Sequence, residues 1–104
     1  MKTRRLGKTD LQVSEIGFGG EWLERHPEEE SIELIHYASS KGINILDCWM
    51  ADPKSRDIIG KGIKDNRSQW FIQGHIGSTW KNEQYFRTRD MKYVRPAFED
   101  LLKR

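Results

Sequence analysis

Two residues able to move protons stand near the ends of short apolar runs: Asp47 closes "GINILD" and His75 lies near the end of "WFIQGHI". A carboxylate that hydrogen-bonds an imidazole holds one ring tautomer, and together they form an acid–base pair. If the two runs are neighbouring strands, Asp47 and His75 are catalytic candidates; otherwise His75 is a histidine filling a polar gap. Asp52, at the head of "DPKS", is a weaker candidate acid. An ordinary carboxyl, with a pKa of about 4, is ionised at neutral pH and has no proton to donate. An aspartate directly before Pro53 reads more simply as a helix N-cap. Cys48 could be a nucleophile, but no partner is spaced beside it in sequence, so it reads as a buried thiol. His26 and His36 fall on a loop and a helix surface and are given no role.

Trp22, Trp49 and Trp80 each follow one of three apolar runs, in loops that would ring one end of a sheet. Ligand pockets are largely apolar and aromatic with a few polar groups, which makes Trp22 and Trp49 candidate substrate contacts. The other reading is that loop tryptophans cover the sheet end. Trp70 begins a strand and reads as packing. Gly19 and Gly20 close the first run, where paired glycines allow a turn or the close approach of a bound group.

The elements that must position these residues alternate. "TRRLGKTDLQV" (3–13) predicts a hairpin, and Ile16 to Phe18 a short strand closed by the two glycines. "HPEEESIELIHYASSKG" predicts a helix with an acidic first turn, an apolar face of Ile32, Leu34, Ile35 and Ala38, and a stop at Gly42. "INILD" predicts a strand buried on both faces. "DPKSRDIIGKGIK" predicts a second helix burying Ile58, Ile59 and Ile63. Residues 70–76 predict a third buried strand. A loop of about a dozen residues, "GSTWKNEQYFRT", then leads to a helix with apolar positions Met91, Val94, Phe98, Leu101 and Leu102, interrupted by Pro96. The units run at about 15–41, 43–64 and 70–104 in a single domain, an α/β order that implies parallel strands. Three such strands leave open sheet edges, so self-association is expected.

The 104 residues are one-third charged and carry a formal net charge of +2. Acidic and basic residues interleave without a basic stripe, which disfavours nucleic acid as a partner. The lone cysteine excludes an internal disulfide and a Cys-rich zinc cluster, and no metal ligand set is assigned. No apolar run approaches the ~20 residues of a membrane span, and the N-terminus lacks a secretory h-region. No membrane partner is expected, and the default location is the cytoplasm.

"RRLGKTDLQVSEIGFGG", "GINILD" and the spaced Ser55, Ile58, Ile59 and Gly60 resemble the N-terminal portion of aldo-keto reductases, over essentially the whole chain. The resemblance implies the first part of a (β/α)8 TIM barrel, plugged at its base by the opening hairpin. It implies an oxidoreductase that reduces a small-molecule carbonyl substrate with NADPH or NADH and no metal. It also implies a tetrad of Asp, Tyr, Lys and His, with the Tyr as general acid. Asp47 falls on the family Asp. Asp52 stands where the Tyr is expected, His75 stands at the Lys, and the strand carrying the His would follow Arg104. Gly19 and Gly20 match a turn beside the nicotinamide, while most of the family's cofactor grip comes from later strands absent here. The resemblance thus implies an altered tetrad, without the standard Tyr/Lys mechanism, and an isolated chain that is inactive. Two alternatives remain: a non-redox barrel enzyme using His75 and Asp47 as acid and base, or a non-catalytic structural module.

Overall fold

The chain opens with an antiparallel hairpin, β1 (Thr3–Arg5) and β2 (Gln12–Ser14), in a computed structural model that describes residues 1–48 and 53–104. Thr9 donates its hydroxyl to the Leu6 carbonyl (2.6 Å), and Gly7 takes the positive φ (56°) that the tight turn needs. Asn44 fastens this hairpin to the rest of the molecule. Its Oδ1 accepts from the Ser14 amide (2.7 Å), its Nδ2 donates to the Gln12 carbonyl (2.9 Å), and its own amide donates to Ser14 Oγ (3.1 Å).

The central sheet is parallel: β3 (Phe18–Gly19), β4 (Ile45–Cys48) and β5 (Phe71–Gly74), in that spatial order. Helices α1 (Glu28–Ser40) and α2 (Pro53–Ile63) pack together against it, with short 3₁₀ turns at Leu23–Arg25 and Lys64–Gln69. The core joins Leu46 and Cys48 to Ile35 and Ala38 of α1, to Ile58, Ile59 and Ile63 of α2, and to Leu23 and Trp70. Trp70 is therefore packing, as its place at a strand start predicts. Gly62 lets the two helices meet, because a Cβ there would lie 2.8 Å from Ile35 Cδ1.

Several expectations need correction. The first strand of the parallel sheet is Phe18–Gly19, starting two residues and ending one residue later than predicted; the Ser14 hydroxyl bonds the Ile16 carbonyl, and Ile16 is exposed. Leu34 is also exposed. The buried stripe of α1 is Ser31, Ile35 and Ala38, with Ile32 half-buried, and Ser31 is tolerated because its hydroxyl donates to the Leu23 carbonyl (3.1 Å). Strands β4 and β5 are not buried on both faces. Leu46 and Cys48 are covered while Ile45 and Asp47 are only half-buried, as the two-residue period of a strand dictates; Gln73 and Gly74 of β5 are exposed.

The predicted loop 77–88 is instead a second hairpin, β6 (Ser78–Lys81) and β7 (Gln84–Arg87), turned through Asn82 (φ 50°) and Glu83 (φ 59°). Two consecutive positive φ values in a two-residue loop match the twist of paired strands. Helix α3 (Met91–Lys103) is continuous through Pro96 and capped by Asp90, whose carboxylate accepts from the Lys92 amide (2.9 Å). None of its residues is fully buried, and Met91, Phe98 and Leu102 of its apolar stripe are exposed. Among the described residues, no helix is long and apolar enough to cross a membrane.

Candidate active site

Asp47 pairs with Gln73 across β4 and β5, and His75 stands two residues beyond Gln73. Alternate residues of a strand share a face, so the parallel register brings both side chains to one side at the carboxyl ends of adjacent strands. His75 Nε2 lies 2.8 Å from Asp47 Oδ1. The two side chains are 43% and 37% exposed, so water reaches them, and such a contact adds little to stability. It constrains chemistry more than folding. With Nε2 committed to the carboxylate, Nδ1 is the nitrogen left to exchange a proton.

Beside the pair opens a hollow of about 670 Å3, lined by Glu21, His75, Ser78, Tyr85, Arg87 and Arg89 among others. Its far wall is the β6–β7 hairpin, closed at its base by the Thr88 amide bonding the Gly77 carbonyl (3.0 Å). Sequence reasoning missed Tyr85, Arg87 and Arg89 because their segment reads as a loop. The signal was present in the alternating "STWK" and "QYFR" either side of Asn82–Glu83, a pair weaker than the Asn-Gly that marks such turns. Within the wall, Arg87 Nε donates to the Tyr85 hydroxyl at 2.8 Å, which holds the Arg87 pKa above its ordinary value.

The two glycines differ. Gly20 donates its amide to the Asp47 carbonyl (2.8 Å), and a Cβ there would lie 2.6 Å from that same oxygen and 2.7 Å from Ile59 Cδ1. Packing alone therefore requires glycine at Gly20, whatever binds nearby. A Cβ on Gly19 would meet nothing within 4 Å, so its backbone faces open space. Of the two, Gly19 offers a surface along which a nicotinamide ring could lie.

Trp22 takes a left-handed conformation (φ 76°) and is 44% exposed, with the Arg25 guanidinium 3.4 Å from its ring centroid. It does not line the hollow beside His75. Trp80 sits in β6 opposite Tyr85. Trp49 and Asp52 lie outside the described residues. Cys48 points to the helix side of β4 and is 1% exposed. Burial pushes its thiol up to about 11, with Arg56 pulling the other way and Asp47 adding to the rise. A thiol held protonated is a poor nucleophile, consistent with a packing role.

No protein-family model matches the chain. The uncharacterized oxidoreductase YqkF of Bacillus subtilis is 27% identical over 108 residues, an alignment that takes in all of this chain and 35% of that protein. A solved structure from Pseudomonas aeruginosa, assigned to the aldo-keto reductases, superposes with a TM-score of 0.83 at 28% identity, covering 97% of this chain and 41% of the other. An aldo-keto reductase from Bacillus halodurans, solved in its holo form, gives 0.85 at 27% identity, covering 99% and 36%. The chain spans between about one-third and two-fifths of the length of these relatives. In sequence and in fold, it is similar throughout to the N-terminal portion of an aldo-keto reductase (β/α)8 barrel.

Proposed function

We propose that the chain is the N-terminal portion of an NAD(P)H-dependent carbonyl reductase of the aldo-keto reductase type, in which His75 and Asp47 handle the proton. The observation that carries this reading is the 2.8 Å contact between His75 Nε2 and Asp47 Oδ1, at the strand ends where barrels of this kind perform chemistry. The bound dinucleotide would supply the hydride to the carbonyl carbon. The chain's own part is the proton. Doubly protonated His75 releases it from Nδ1 to the carbonyl oxygen as that oxygen takes on negative charge, and the ring is left with its Nε2–H on Asp47. Asp47 thus selects the tautomer and steadies the imidazolium. Gly19 is the residue on which we place the nicotinamide.

Adding NADPH to isotopically labelled chain at millimolar concentration tests the reading by NMR. Amide shifts clustered at Gly19, Asp47 and His75 are expected; unmoved signals at all three would overturn it. The packing account of Gly20 also keeps a second reading in view, a cofactor-free proton transfer by the same pair. In that case NADPH moves nothing, while a small enolisable ketone moves His75. A chain in which neither ligand moves the site is a structural module.

A further inference from the structure

The β6–β7 hairpin has two faces, because residues that alternate along a strand, and their opposites across the ladder, project together. One face packs on α3: the Phe86 ring meets Tyr93 edge-on with centroids 5.7 Å apart, and Lys81 Nζ lies 5.1 Å from the Tyr93 centroid. The other face carries Ser78 and Arg87, directly opposite each other, and both line the hollow beside His75. Arg89, two residues further on, lines it as well.

These groups are donors short of an acceptor. Arg87 commits Nε to the uncharged Tyr85 hydroxyl (2.8 Å), and among the described residues neither Arg87 nor Arg89 pairs with a carboxylate. Ser78 is only 8% exposed, yet among the described residues its hydroxyl has no hydrogen-bond partner. A hydroxyl buried in that state destabilises the fold until an acceptor reaches it. Glu21, beyond β3, is the one carboxylate among the described residues lining the hollow, and it pairs with neither arginine. One positive charge is therefore left in excess. Ser78 stands three residues after His75, at most roughly 11 Å away along the backbone.

We infer that the hollow takes a carbonyl substrate that also bears a carboxylate, with its carbonyl oxygen at His75 and its carboxylate on Ser78, Arg87 and Arg89. The assignment rests on the reading of His75 and Asp47 given above. A guanidinium matches a carboxylate in shape as well as in charge, the excess positive charge draws the anion in, and the short backbone span suits an oxo acid of a few carbons. Arg87 and Arg89 are then the residues that set specificity.

Titration of 4-oxopentanoate and of its uncharged counterpart 2-pentanone into the labelled chain, followed by NMR, tests this. The oxo acid is expected to bind at least threefold more tightly, moving His75 together with Ser78 and the Arg87 Nε–H signal. The preference should fade as salt is raised. Arg87→Gln and Arg89→Gln should each reduce it and together remove it, with circular dichroism checking that the variants are folded. Equal affinity for the two ligands, no binding of either, a preference undiminished in the double variant, or shifts at the hairpin without His75 would overturn the inference. So would displacement of 4-oxopentanoate by NADPH, which would assign the arginines to the phosphates of the dinucleotide. The reading beneath it fails in a different way: NADPH then leaves Gly19, Asp47 and His75 unmoved, whatever the two carbonyl compounds do.

Discussion

The contact between His75 and Asp47 uses Nε2, and that choice of nitrogen can be tested directly. Neutral His75 should carry its proton on Nε2, and Asp47→Asn should mix the tautomers because an amide can donate as well as accept; long-range ¹⁵N–¹H correlation spectra distinguish the two states. The neighbouring Cys48 gives a pH prediction. Its thiol is raised from an ordinary 9.0 to about 11 in the folded chain. Above pH 9 the unfolded thiol ionises while the folded one does not, so stability present at neutral pH is lost progressively between about pH 9 and 11. The loss is about 2–3 kcal/mol, measurable by urea unfolding across that range, and Cys48→Ala should remove it. At this scale the sequence was legible where a residue type ended an apolar run, as with Asp47 and His75. It was not legible where a role depended on a partner far along the chain. Asn44 holds the opening hairpin through Gln12 and Ser14, about thirty positions away, and Gly20 is required by the carbonyl of Asp47.

Elements defined by strong local signals came through: α1, α2 and the opening hairpin stand close to where periodicity and turn residues place them. The β6–β7 hairpin did not, because its turn uses Asn82–Glu83. Glu83 occupies a left-handed conformation that disfavours a side chain. Glu83→Gly should therefore stabilise the hairpin by about 1 kcal/mol, read as slower amide exchange in Ser78–Lys81 and Gln84–Arg87, whereas Asn82→Val should speed it. The exposed stripe of α3 was equally invisible. Helical spacing identifies an apolar face but not whether anything covers it, and here Met91 and Leu102 are largely exposed.

The molecule as a whole is a slab, 40 × 37 × 19 Å, with its three parallel strands laid side by side and β3 and β5 at the edges. Unpaired edges invite further pairing, so the apparent mass in light scattering should rise with concentration. Gln73→Lys, which places a charge on the exposed β5 edge, should lower it. Fold class was legible at this scale because the alternation of strand and helix leaves few topologies open. The spatial order of the parallel strands is also their order along the chain, with β3 beside β4 and β4 beside β5. Nothing made early in this sheet waits for a partner made late. A chain leaving the ribosome could assemble it progressively, strand upon strand, and the Asp47–His75 contact would form as soon as the β5 segment clears the exit tunnel.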